Sequence, residues 1–527
     1  MDDEQILRLL GPAQAQSDRR FLSYAVPRDK LLARLKNLER NFLIINAARG
    51  CGKSGLLITL QNHIEHRFPG RNIVIKKFDT DAPVPETVLD YHSSFNYWKN
   101  LILGWIVGEI GAQIESSDDP DQVSAATYAE SIGRKEVHEI LRRLRVDQKP
   151  ENRVRFDHTL TDEYLSRLVD KAQCRFWILM DEFDDAYVDN ERMANKLAGL
   201  LKAAKHISSI HPDLLVRITI RPHIMTSLER TVDMVQTMRT EEVEIKWSEE
   251  ELLQVLENRI DRFEGPSDDQ FELTFEKPKI RPKEQKKSQY EKISKYFHPF
   301  DGSFDEKKET DFRAICTFSL YRPRWMLEFC QLALGFAEGG RAKVEDFRKA
   351  LYEFSSNRII YLAGEHKYHI PDLEKIANLF SSIRKEKFRS SDELKQAIFD
   401  NIIRKGVRSN RIKDLTNLEY DPIADDVALE IAQDLYVTEI LRAKQQLGRK
   451  YRFFTYTDRP SLLSSWNFDR TVSWHIHPTF LRSFHIKETG VYRAGGSLTG
   501  FGEKKNAPRH SEISEQKPTE LDDDLQG

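Results

Sequence analysis

The chain has 527 residues, 31% of them charged and 39% apolar, with a formal net charge of −3. That length exceeds a single core and predicts several domains, while the near balance of charge excludes global basicity, so any contact with nucleic acid must be local. The four cysteines, Cys51, Cys174, Cys316 and Cys330, form no ligand-spaced cluster and fit a reduced cytoplasm rather than zinc, and the most apolar run, 101–107, is bounded by Lys99 and Glu109, far short of a membrane span.

Residues 1–40 read as an entry segment. MDDEQILRLLGPA is acidic, without the basic-then-apolar layout of a signal peptide, and the amphipathic run DKLLARLKNLER leads into a first strand; nothing here is expected to be catalytic. The next stretch, NFLIINAARGCGKS at 41–54, runs an apolar strand into a Gly-rich turn. It follows the phosphate-loop pattern of Gly, four residues, then Gly-Lys-Ser/Thr, with Ala47 in place of the first glycine. Gly50 and Gly52, flanking Cys51, can take the positive φ that lets backbone N–H groups converge on an anion. The following helix, opening at Gly55, turns its positive end to the same point. Lys53 is expected to reach the β- and γ-phosphates of a nucleotide, and the Ser54 hydroxyl to ligate Mg2+. Ala47 adds only a methyl group, tolerable if its φ is negative.

NIVIKKFD reads as a second strand and YWKNLILGWIVGEIGAQI as a buried helix, after which 116–160 turns polar and reads as an insertion. CRFWILMDEFDD places acids at the end of an apolar strand: Asp181 is expected to hold the Mg2+ shell and Glu182 to orient and deprotonate an attacking water, with Asp184 and Asp185 capping the next helix. The strand LLVRITIRP ends in Thr219, Ile220 and Arg221, where Arg221 fits equally a γ-phosphate sensor or a structural ion pair with Asp184 or Asp185. EEVEIKW is a further strand, and Ser248 with Glu251 forms a capping box for SEEELLQVLENRIDRF. Strands alternating with helices predict a parallel α/β sheet covered on both faces.

From 264 to 360, a Pro- and Lys-rich loop (276–289) precedes helices in which Pro323 suits a first helical position, with Arg322 and Arg324 beside it. Between 361 and 490, the helices DLEKIANLFSSI, SDELKQAIFDNII and DDVALEIAQDLYVTEILRAKQQL precede two β-like pieces, KYRFFTYT and RTVSWHIHPTF, which predict a hairpin and a winged-helix module. Within it, 385–413 carries Lys385, Lys387, Arg389, Arg404, Lys405, Arg408, Arg411 and Lys413, a local basic surface near the acids Asp400, Asp414, Glu419 and Asp421. The stretch 491–527 has almost no large apolar residues and is expected to be disordered.

Taken in this order, the loop, MDEFDD, the TIR strand end and the RPR helix start resemble the additional-strand P-loop ATPases, closest to the STAND and origin-recognition-type AAA+ branch, over about residues 20–360 and more weakly over the winged helix. The resemblance implies an α/β fold: a parallel-sheet P-loop NTPase core at 41–263, a helical lid at 264–360 and a C-terminal winged-helix-like domain. It implies ATP and Mg2+ as ligands, ATP hydrolysis, Arg221 and Arg324 as sensors, and Pro323 against the adenine and ribose. WSEEELLQVLENRI is similar to the lid entry of bacterial relatives found in phage-defence and mobile-element neighbourhoods. The leading expectation is a cytoplasmic ATP-hydrolysing switch with a protein effector and a possible homo-oligomeric state. Alternatives are a DNA-binding initiator or loader, with weak binding through 385–413, and a nucleotide-binding scaffold without turnover.

Overall fold

A computed structural model describes residues 2–18, 20–26, 28–67, 72–78, 90–116, 162–163, 165–166, 169–170, 174–185, 187–188, 190–264, 292–298, 306–367, 369–404, 422–448, 450–463 and 471–486. The expected insertion beyond Ser116, the loop 276–289 and the stretch 491–527 lie outside these residues.

All five strands expected in the first half form: β1 (Phe42–Asn46), β2 (Asn72–Phe78), β3 (Arg175–Asp181), β4 (Leu214–Ile220) and β5 (Glu242–Glu244). They make one parallel sheet in the order β2-β3-β4-β1-β5. Period-two alternation divides the apolar runs between two cores. Ile44, Phe176, Ile178 and Ile218 face helices Tyr91–Ser116 and Glu191–Ile210, whereas Leu43, Ile45, Trp177 and Leu179 meet Leu57 and Leu60 of helix Lys53–Arg67. Because β4 lies between β1 and β3, the Thr219 strand end stands beside the loop that follows β1 and the acids that end β3.

Helix Glu249–Glu264 opens with the predicted capping box, Ser248 N–H to Glu251 Oε2 at 2.9 Å and Glu251 N–H to Ser248 Oγ at 3.2 Å. Helices Glu306–Phe318, Pro323–Gly335 and Val344–Glu365 complete the helical lid, with Pro323 at the first turn of its helix. Helix Asp3–Leu10 buries Ile6, Leu9 and Leu10 in the core that the lid shares with the C-terminal module.

The C-terminal module carries an antiparallel sheet of β6 (Lys387–Phe388), β7 (Leu441–Leu447), β8 (Lys450–Phe454) and β9 (Val472–Ile476) in the order β6-β9-β7-β8, behind helices Leu373–Phe380, Ser391–Ile398 and Pro422–Val437. This is the winged-helix-like arrangement, with one correction to the pairing. The helix read through DDVALEIAQDLYVTEILRAKQQL stops at Val437; Glu439 then takes φ +60 and the chain continues as β7. The expected KYRFFTYT–RTVSWHIHPTF hairpin is therefore replaced by a β7–β8 hairpin, with β9 on the other side of β7. Among the described residues no helix is long and apolar enough to cross a membrane.

Candidate functional site

The phosphate-loop motif, both strand-end motifs and the RPR helix start converge on one cleft of about 190 Å³. Gly50 and Gly52 hold φ of +85° and +88°, the region where side chains are strained. Ala47 is not among the described non-glycine residues with positive φ, which is why a methyl group is accepted there. The first hydrogen bond of helix Lys53–Arg67 runs from Leu56 N–H to the Gly52 carbonyl at 2.9 Å, so the N–H groups of Lys53, Ser54 and Gly55 precede it at the positive helix end.

Three loop carbonyls are taken by donors from elsewhere in the chain. Arg322 Nη1 donates to the Arg49 oxygen at 3.3 Å, Arg324 N–H to that of Gly50 at 3.4 Å and Trp247 Nε1 to that of Cys51 at 2.8 Å. Lys53 Nζ donates to the Ala47 carbonyl at 2.8 Å. Burial lowers the pKa of this ammonium; Asp184 and Asp181 oppose that shift and Arg221 adds to it. An arriving anion would meet a cation that is already partly desolvated.

Asp181 is fully buried at the end of β3. Its Oδ1 accepts from Thr219 Oγ1 at 2.6 Å and from Glu182 N–H at 3.1 Å, while Oδ2 is buried with no hydrogen-bond partner among the described residues. A buried carboxylate oxygen left without a donor, in the same cleft as the Ser54 hydroxyl, fits a hard cation. Glu182 is held at φ +65°, and its Oε1 accepts from Gln16 Nε2 at 3.0 Å.

Asp184 and Asp185 do not cap the following helix. That position belongs to Asn190, which accepts from Met193 N–H at 2.9 Å. The two acids instead engage Arg221: its backbone N–H donates to Asp184 Oδ2 at 2.7 Å, and its guanidinium pairs with Asp185, with Asp184 at 3.9 Å and with Glu365 of the lid at 4.0 Å. The ion pair left open by the sequence is thus formed, and Arg221 still lines the cleft. Burial pushes the Glu365 carboxyl up, but His366, Arg322, Arg221 and Lys53 together bring it below its ordinary value. His366 is driven down to about 4, chiefly by burial, with Glu365 opposing that shift. Pro323 and Arg324 border the same cleft. Burial, foremost, lowers the Arg324 guanidinium's pKa.

Arg322, 4% exposed, extends the site into the C-terminal module: its Nη2 bonds Glu439 Oε2 at 2.5 Å, and Thr457 Oγ1 holds the other Glu439 oxygen at 2.9 Å. The sequence reading missed Glu365 and Glu439, which lie on turns and helix ends without motif character, and it missed the entry segment. Residues 13–16, Phe21, Tyr24 and Val26 form one wall of the cleft. Phe21 packs so closely on the first turn of the loop helix that a Cβ at Gly55 would meet its Cζ at 2.8 Å.

Residues 250–363 match the family model described as the FunZ-associated C-terminal helical domain. A comparison with curated proteins finds no match. Among solved structures, the ORC2 protein of Aeropyrum pernix in its ADPNP–ADP complexes is 13% identical, with 89% of this chain and 98% of that chain covered and a TM-score of 0.40. Cdc6p of Pyrobaculum aerophilum is 12% identical over 89% and 96% of the two chains, with a TM-score of 0.28. The fold class rests on the chain's own sheet order and loop.

Proposed function

We propose that this chain binds ATP with Mg2+ and hydrolyses it as the timer of a conformational switch. The observation that carries the reading is the unpartnered buried oxygen of Asp181, set in one cleft with Ser54, Lys53 and the two positive-φ glycines. Lys53 and the loop N–H groups bind the β- and γ-phosphates, and Ser54 and Asp181 hold the cation. Mg2+ would neutralise charge developing on the phosphate oxygens. Glu182 orients the attacking water and takes its proton, and Arg221 and Arg324 distinguish ATP from ADP. Adenine, a cytoplasmic location and a role in phage defence or mobile-element control follow from the family resemblance.

A ligand shifts a conformational equilibrium only by its preference between states, so the switch needs contacts that the γ-phosphate changes. What supports Arg221 in this role is its pairing, which joins Asp184 and Asp185 to Glu365 on the lid. Purified chain should release phosphate from Mg-ATP and give different proteolytic patterns in ATP and ADP. Arg221→Lys keeps a cation but loses the planar fork that spans three carboxylates, so it should retain ATP binding and lose the difference between the patterns. No nucleotide affinity in the parent would sink the reading, and a variant whose patterns still differ would remove Arg221 from the switch.

A second reading, a nucleic-acid-binding ATPase, is favoured by one surface. In 385–413, Lys385 is tied to Glu393 and Arg404 to Asp400 at 3.3 Å, while Lys405, Arg408, Arg411 and Lys413 lie outside the described residues. The outward face of the β7–β8 hairpin instead stacks Arg442 over Phe453 at 3.8 Å and Lys444 over Tyr451 at 4.6 Å, with Tyr451 57% exposed. Asp426, Glu430 and Asp434 make the neighbouring helix acidic, which opposes its entry into a groove and suits a basic protein partner. Duplex binding with ATP should therefore be weak and salt-dependent, and Lys444→Glu should flatten the slope of log affinity against log salt by about 0.9 for each phosphate it ceases to neutralise. An unchanged slope in the variant would reject this surface.

A further inference from the structure

We infer that Gln16 is the positioning residue for Glu182, held in place by the lid through the entry segment. The inference rests on the ATP-hydrolysis reading above. Gln16 belongs to a single helical turn, Ala15–Ser17, and its Nε2 donates to Glu182 Oε1 at 3.0 Å inside the cleft. Among the described residues the Glu182 carboxylate has no other hydrogen bond: its backbone is in the left-handed region, and the bond from its own N–H to Asp181 fixes the main chain rather than the carboxylate.

The segment carrying Gln16 is fastened to the lid and rests on the phosphate loop's helix. Arg259 Nη1 donates to the Leu10 carbonyl and, at 3.1 Å, to that of Pro12; Gln331 Nε2 donates to that of Gly11 at 3.0 Å; Asn258 Nδ2 donates to that of Tyr24 at 3.1 Å. Arg259 and Asn258 lie on helix Glu249–Glu264 and Gln331 on helix Pro323–Gly335. On its other side the segment sets Phe21 and Ala15 against Gly55. The segment lines the cleft, so a nucleotide held there would meet it, and a lid that moved would draw Gln16 with it through these bonds. Whether Glu182 points at the water site thus depends on the closure of the lid over the ligand.

Gln16→Met keeps the length of the side chain and removes the donor, so Glu182 should lose its direction. Steady-state ATP hydrolysis by the full chain should show kcat lowered between about 10- and 100-fold with KM unchanged, because a base displaced by about an ångström loses rate rather than binding. Gln16→Glu, which sets a second carboxylate beside the first, should lower kcat at least as far, again with KM unchanged. A merely structural Gln16 would change KM or melting temperature rather than kcat alone. Hydrolysis in the parent with parental kcat in both variants would overturn the inference alone; a parent that binds ATP and releases no phosphate would overturn it together with the reading it rests on.

Discussion

Lys53→Ala should leave a folded chain that no longer holds ATP at useful concentrations. The ammonium donates only to the Ala47 carbonyl among the bonds the structure gives it, and burial already lowers its pKa, so the folded state gains little from it. On the proposed reading the same group would meet two phosphates in the cleft it lines. Removing one partner of such a buried pair costs about 3–5 kcal/mol, which corresponds to roughly 10²- to 4 × 10³-fold in Kd. Titration calorimetry with Mg-ATP, beside a thermal melt of the same preparation, reads both quantities. Near-parental affinity in a folded variant would mean that the loop at 47–54 is not the phosphate cradle.

The second large effect is on turnover. Glu182→Gln keeps the shape of the side chain and an oxygen that can still accept from Gln16, but it removes the base. Hydrolysis should fall about 10²- to 10⁴-fold while ATP stays bound, leaving a trapped triphosphate state. Single-turnover phosphate release with pre-bound ATP separates this from weakened binding. A parental rate would assign the base to another group and leave Glu182 as a turn residue held at positive φ.

The legible part of the fold was the part written in local pattern. NFLIIN, CRFWILM and LLVRITI are apolar runs too short for helices, each ending in a loop or polar residues, and they became the three central strands of the sheet. The phosphate loop was legible because its residue types are dictated by backbone conformation, and Gly50 and Gly52 take the positive φ the pattern demands. β7 was not legible: LRAKQQL is rich in helix formers and follows a helix, and the break comes at Glu439, a non-glycine residue at φ +60 that no turn signal announces. Asp184 and Asp185 looked like caps because short acids before a helix usually are; the cation that claims them arrives just past the end of β4, far along the chain. The wall built by residues 13–26 was hidden for the same reason, since polar residues such as Gln14 and Gln16 acquire their place only when the segment folds back over the sheet's end.

Arg322 bears on whether the molecule can be divided. Its guanidinium, 4% exposed, joins the Arg49 carbonyl to the Glu439 carboxylate, so a fragment ending near residue 370 would keep every group of the cleft and yet lose both the acid that pairs with Arg322 and the residues that cover it. In the full chain, removing that acid while Arg322 stays buried costs about 3–5 kcal/mol, a large share of the stability of an ordinary domain. The half that carries the cleft and the C-terminal module are therefore not interchangeable beads on a string. Any recombination that swapped the C-terminal half for a foreign one would have to bring a carboxylate to the same spot, which limits the partners with which such a core can be shuffled.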